Sequence, residues 1–226
     1  MNSWLTFSFQ DAMSPIMFYM NFFHEFIMMS IICITSLTLY IIVMMYMNKY
    51  YTNIIINNQV IETIWTIFPL LILFVLVVPS IKILYMTDET KMPFFTIKSI
   101  GNQWYWTYEY PQFKMMPFDS YMINTNEMNN NEFRLLDVDN RLIAPYKIKT
   151  QLITTSNDVI HSFTVPSLGF KIDSIPGRLN KSSFFMKYAG LFFGQCSEIC
   201  GINHSFMPIV IESINKKKFF NWIIKH

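Results

Sequence analysis

The stretch Gly194-Gln195-Cys196-Ser197-Glu198-Ile199-Cys200-Gly201-Ile202-Asn203-His204-Ser205-Phe206-Met207 decides how this chain is read. Between Cys196 and Met207 it carries two of the three cysteines, one of the four histidines and a thioether. Thiolate, imidazole and thioether are the donors that copper, zinc and iron–sulfur centres take. Cys200-x3-His204-x2-Met207 alone suits a copper electron-transfer site, provided that a second imidazole comes from elsewhere. Cys196 lies four residues before Cys200 and has no task in a one-copper site. Two thiolates could instead bridge two copper ions. Two other readings stay open here: a Cys196–Cys200 disulfide in an oxidising compartment, and a structural zinc site with His204 and a distant histidine. Zinc leaves Met207 unexplained, and the C-x2-4-C…H-x3-5-H spacing is absent.

The second imidazole has three candidates outside the loop: His24, His161 and His226. His24 lies in the N-terminal, membrane-proximal part, and His226 is the last residue. His161, in Asp158-Val159-Ile160-His161-Ser162-Phe163, sits among predicted strands. A histidine in a β domain is ordinarily a surface or core residue, but this one is the internal imidazole that a metal on the 196–207 loop would need.

The strands come from the region 94–213, where short β-rich runs alternate with turn signals. The pattern predicts strands over Phe94–Ile100, Gln103–Tyr110, Phe133–Asp137, Lys147–Ser156, Val159–Val165, Ser182–Tyr188, Leu191–Cys196 and Phe206–Glu212. Asn124–Asn131 reads as a loop and Lys216–His226 as a short amphipathic helix. Strands at that spacing imply an all-β sandwich. Trp104-Tyr105-Trp106-Thr107-Tyr108 puts aromatics on both faces of one strand. They could fill core and surface, or offer an exposed ring for electron entry or docking.

Upstream of residue 90 the chain is different. Overall, 52% of residues are hydrophobic and only 14% charged, against ~25% charged in ordinary soluble chains. The formal charge of +2 is too small to imply nucleic-acid binding. Phe26–Met47 and Thr63–Ile81 are uncharged runs long enough to cross a bilayer as helices. Residues 1–25 hold no Lys or Arg, which fits neither a secretory signal nor a transit peptide; they read as a retained segment at the membrane surface. Tyr46, Lys49, Tyr50 and Tyr51 suit an interfacial belt. The sequence thus divides into a hairpin over 1–90, with helices at about 26–47 and 63–82, and a β domain over 91–226. Glu62 starts the second helix, either as a carboxylate at the positive end of the helix dipole or as a point of proton entry.

Several blocks together resemble the cytochrome c oxidase subunit II family in its mitochondrially encoded, insect-like form. They are Gly194–Gly201 with Asn203-His204-Ser205-Phe206-Met207-Pro208, Val159–Phe163, Val165–Gly169, Ile175–Asn180, Gln103-Trp104-Tyr105-Trp106 and Glu62–Pro69. The resemblance implies a two-helix transmembrane hairpin and a cupredoxin-like domain with a binuclear copper (CuA) centre. In it Cys196 and Cys200 would bridge two copper ions, with His161 and His204 as terminal ligands. Met207 would be a weak ligand to one ion and the Glu198 carbonyl to the other. The Glu198 carboxylate would hold magnesium at the boundary with subunit I. Trp104 would take the electron from cytochrome c, and Glu62 would stand at the mouth of a proton pathway. It further implies subunits I and III and nuclear-encoded subunits as partners, in the mitochondrial inner membrane, with the β domain in the intermembrane space. Two departures stand out: Asn102 where the family often has His, and Pro111–Met116, which has no acid and contains Lys114.

Overall fold

Two long helices come first in the computed structural model, which describes residues 8–50, 57–88, 92–113 and 115–225. Tyr51, Lys114 and His226 lie outside the described residues. Helix α1 spans Pro15–Met47 and α2 spans Gln59–Asp88. Both are long and apolar enough to cross a membrane. Each reaches further than its uncharged core. An α-helix of 33 residues is about 50 Å long, against an apolar bilayer core of about 30 Å. Helix α1 therefore continues back through Glu25 and His24, and α2 runs on past Lys82. Asn58 caps α2, its Oδ1 accepting from the N–H groups of Val60 and Ile61, so Glu62 falls in the first turn.

The chain falls into two units, Tyr19–Thr87 and Met1–Phe18 with Asp88–His226. Ser14 starts the first helix. Its hydroxyl donates to the Leu168 carbonyl at 2.7 Å and accepts the Met17 N–H at 3.0 Å. One buried side chain thus caps α1, with Pro15 at the first helical position.

The β unit holds ten strands among the described residues. They are β1 (Phe95–Asn102), β2 (Tyr105–Glu109), β3 (Phe118–Ser120), β4 (Leu142–Pro145), β5 (Lys149–Ser156), β6 (His161–Val165), β7 (Phe170–Ser174), β8 (Asn180–Phe185), β9 (Gly190–Gln195) and β10 (Pro208–Ile214). A five-stranded sheet runs β3-β2-β1-β5-β8 and a three-stranded one β4-β10-β9, with β6 and β7 paired as a ribbon. Strand β5 buries every second residue, the period that lets one face pack on a core. Trp106 of β2 meets Phe163 of β6 edge-on with ring centres 5.2 Å apart, one of the contacts that join the layers. Helix α3 (Lys216–Lys225) sets Phe219 against Phe95, Tyr110 and Phe113.

One sequence expectation fails in the β unit, and three strands, β3, β4 and β7, were not foreseen. Phe133–Asp137 is a turn: the Asp137 carboxylate accepts the Phe133 N–H, Leu135 takes a positive φ, and the Asp137 N–H returns to the Phe133 carbonyl. The short strands β3, β4 and β7 have too few residues to show a period. Phe219→Ala removes a fully buried ring and should cost the domain about 3–5 kcal/mol, measured by urea unfolding.

Candidate metal centre

Strand β9 ends at Gln195 and β10 begins at Pro208, so the loop 196–207 spans two antiparallel neighbours and opens at one end of the sandwich. His161 is the first residue of β6 and is wholly buried. The Ser197 N–H bonds to the Ser162 carbonyl and fastens the start of the loop beside it. The ligand atoms of His161, Cys196 and Cys200 all lie within 4.8 Å of one another. Space for the imidazole comes from Gly101 on β1, where a Cβ would stand 2.7 Å from the His161 ring.

Each thiol has its own neighbours. The Cys196 Sγ lies 3.9 Å from His161 Nδ1 and 3.4 Å from the Glu198 carbonyl oxygen. The Cys200 Sγ lies 3.4 Å from His204 Nδ1 and 3.5 Å from the Met207 Sδ. Both cysteines are free thiols, so the disulfide reading falls. The set comprises two thiols, two imidazoles, one thioether and one carbonyl, with both thiols and Met207 buried.

Charge is unevenly distributed here. Burial raises the Cys196 thiol, but hydrogen bonds to His161 and to the backbone of Glu198 and Ser162 bring it below its ordinary value. Burial, then the neighbouring Cys196, push Cys200 up to about 12. For His161 burial favours the neutral ring, yet Cys196 and Asp158 together raise it. Asp158 is also opposed by burial but ends lowered by His161 and by the N–H groups of Val159 and Gln103. Its carboxylate lies 2.8 Å from His161 Nε2. A carboxylate on the far nitrogen of an imidazole fixes the tautomer and leaves Nδ1 facing the thiol, the support that metal-binding histidines receive.

A family model described as "Cytochrome C oxidase subunit II, periplasmic domain" matches residues 95–214, and one for the transmembrane domain matches residues 2–83. This chain belongs to the cytochrome c oxidase subunit II family. Cytochrome c oxidase subunit 2 of Apis mellifera ligustica is 55% identical over 225 residues, covering 100% of this chain and 99% of the relative. That of Choristoneura rosaceana is 51% identical over 223 residues, covering 99% and 98%. The crystal structure of the periplasmic domain of subunit II of cytochrome oxidase from Bradyrhizobium japonicum is 42% identical. It aligns with a TM-score of 0.57 over 61% of this chain and 96% of that one. Family membership makes the chain a component of an oxidoreductase complex, and its His, Cys, Cys and Met cluster fits the copper site of subunit II.

The fold thus gathers His161, Cys196, Cys200, His204, Met207 and the Glu198 carbonyl, while the Glu198 side chain is exposed. Trp104 is half-buried at the tip of the β1–β2 hairpin. Glu62 belongs to the other unit, exposed in the first turn of α2. Sequence reasoning missed three supporting residues. Gly101 and Trp106 act through distant packing; the Trp106 Nε1–H reaches the Met207 carbonyl at 3.4 Å and its ring meets His161 edge-on. Asp158 was legible in principle, standing three residues before His161. Asp158→Asn should weaken copper binding about 10- to 100-fold in chelator competition. An unchanged affinity would remove Asp158 from the support of the site.

Proposed function

We propose that this chain is the electron-entry subunit of cytochrome c oxidase: it receives electrons from cytochrome c at a binuclear copper (CuA) centre and passes them to the haem of subunit I, for oxygen reduction coupled to proton pumping. One observation carries the reading. Each thiol stands beside an imidazole and a weak donor, so the donor set is doubled. A one-copper site leaves half of it idle, and a four-ligand zinc site leaves the buried Met207 idle. When bound, the copper pair would supply one-electron chemistry.

The chain's own residues do the rest. Cys196, Cys200, His161 and His204 would hold the copper ions, with Met207 and the Glu198 carbonyl as weaker donors. Asp158 and Gly101 hold the His161 ring in one orientation. A loop pinned between paired strands keeps the donors nearly fixed through a redox cycle. Trp104 is the electron-entry ring at the surface. The exposed Glu198 carboxylate holds magnesium shared with subunit I, and Glu62 opens a proton path. The membrane is the mitochondrial inner membrane, with the β domain in the intermembrane space and subunits I and III and nuclear-encoded subunits as neighbours. The isolated chain does not reduce oxygen.

Docking of a basic partner falls to few acids. Glu109 is tied to Lys98 at 2.9 Å and Asp158 to His161. Asp119 and Asp139 remain beside the stacked Tyr105 and Tyr121 rings. The rate of cytochrome c oxidation should therefore depend weakly on ionic strength; a slope as steep as in acid-rich relatives would sink that account.

The β domain reconstituted with copper should bind two ions and give a valence-delocalised EPR signal; a colourless zinc protein overturns the assignment. In the assembled oxidase, Trp104→Phe should keep that signal and slow electron entry by about two orders of magnitude.

A further inference from the structure

Strands β1 and β2 pair through Asn102 and Tyr105, which leaves Gln103 and Trp104 as a two-residue hairpin tip. Such a tip projects from the sheet, and a ring on it has rotamers to sample unless something holds it. Gln103 is exposed, as a tip residue should be, yet both its polar ends are committed. Its backbone N–H donates to Asp158 Oδ2 at 2.6 Å. Its side-chain Nε2 donates to the Cys200 carbonyl at 2.7 Å, across 97 positions of sequence. The first bond leads to His161 through Asp158, and the second holds the main chain of a proposed copper ligand. One residue thus ties the hairpin tip to both segments that carry the site.

The adjacent residue of the copper loop is built to receive the tip. Gly201 has φ +125°, a conformation that side chains disfavour. A Cβ there would stand 3.0 Å from the Trp104 Cζ2, 3.3 Å from its Nε1 and 3.2 Å from the Gln103 Nε2. The indole and the amide therefore both lie against the Cys200–Gly201 peptide. The Trp104 Nε1–H is buried and has no hydrogen-bond partner, so it offers no bond that would fix the ring in place of the Gln103 link.

We propose that Gln103 is a positioning residue that clamps the Trp104 ring onto the Cys200–Gly201 peptide, and that this peptide, bare because residue 201 is glycine, is the contact through which electrons pass from the ring to the copper pair. The proposal rests on the reading of Trp104 as the entry point and of the loop as the copper centre. One electron moves per encounter: cytochrome c goes from ferrous to ferric, the copper pair gains that electron, and Trp104 ends unchanged with no proton moved.

The test uses the assembled oxidase with cytochrome c bound at saturation, so that the first-order rate of electron entry is read apart from affinity. Gln103→Met keeps the side-chain length and removes the donor; Gly201→Ala fills the contact. Each should slow electron entry about tenfold or more, since misplacement by an ångström costs rates of that order, with copper content and EPR signal retained. Gln103→Met should slow it no further in a Trp104→Phe background, because both act through one ring. A second readout needs no metal: in the copper-free protein, the acrylamide quenching lost on Trp104→Phe should be larger in Gln103→Met than in the parent, reporting a freed indole. Unchanged rates, a slowing that persists in the Trp104→Phe background, or unchanged quenching overturns the clamp. A Trp104→Phe oxidase with the parent's rate overturns the entry reading itself, and loss of the copper signal in Gly201→Ala shows a structural role in place of the proposed one.

Discussion

Two sulfur atoms that resist being ionised together set the terms for the β domain. Burial and the neighbouring Cys196 push Cys200 up to about 12, so near neutrality the bare pair holds at most one thiolate. Two adjacent negative charges in a low-dielectric interior need cations between them, which suits the loop to a metal and not merely to a polar crevice. Much of the surrounding structure serves to present the thiols in fixed positions. The loop is closed by the β9–β10 pair, His161 is held from behind by Asp158, and Gly101 keeps its backbone clear of the ring. Ligands held this way arrive with their orientation already set.

The β1–β2 hairpin links that interior to the surface. Alternation along the strand sends Trp106 inward, where it touches His161 and the Met207 carbonyl. Trp104, two residues earlier, stands at the tip. A single ribbon thus carries one indole that packs behind the proposed ligands and another at its tip against the Cys200–Gly201 peptide. The polar chain Asn157–Asn102–Thr107–Asp119, of which Asn102 is buried, stiffens the same ribbon, each amide or hydroxyl donating to the next. Asn102 makes the bonds at its centre with an amide that has no charge to lose.

What could be read from sequence was whatever lies close together along it. The donor-rich loop and the apolar helices declare themselves because their residues are neighbours in the chain. His161 emerged by elimination among few histidines. The roles of Trp104 and Trp106 could not be separated, because residues two apart share one face of a strand and only the turn after Asn102 takes Trp104 out of that alternation. Gly101 meets His161 only after β1 and β6 have packed, so nothing local marks it. Phe133–Asp137 misled because its apolar residues suit a strand, while the turn is decided by a carboxylate that captures a backbone N–H. Ser14, too, shows its purpose only when Leu168 lies beside it.

The position of the loop between the last two strands fixes an order of events in the making of the protein. His161 leaves the ribosome well before Cys196, and β10 must find both its late neighbour β9 and the much earlier β4. Contacts between segments so far apart in sequence form slowly. The centre therefore cannot be complete until nearly the whole chain has been made and the sandwich has closed. Until then the two cysteines form a vicinal-like dithiol without a metal, open to oxidation by the surrounding compartment. A metal held by this loop would therefore enter only once the sandwich has closed, with the dithiol still reduced.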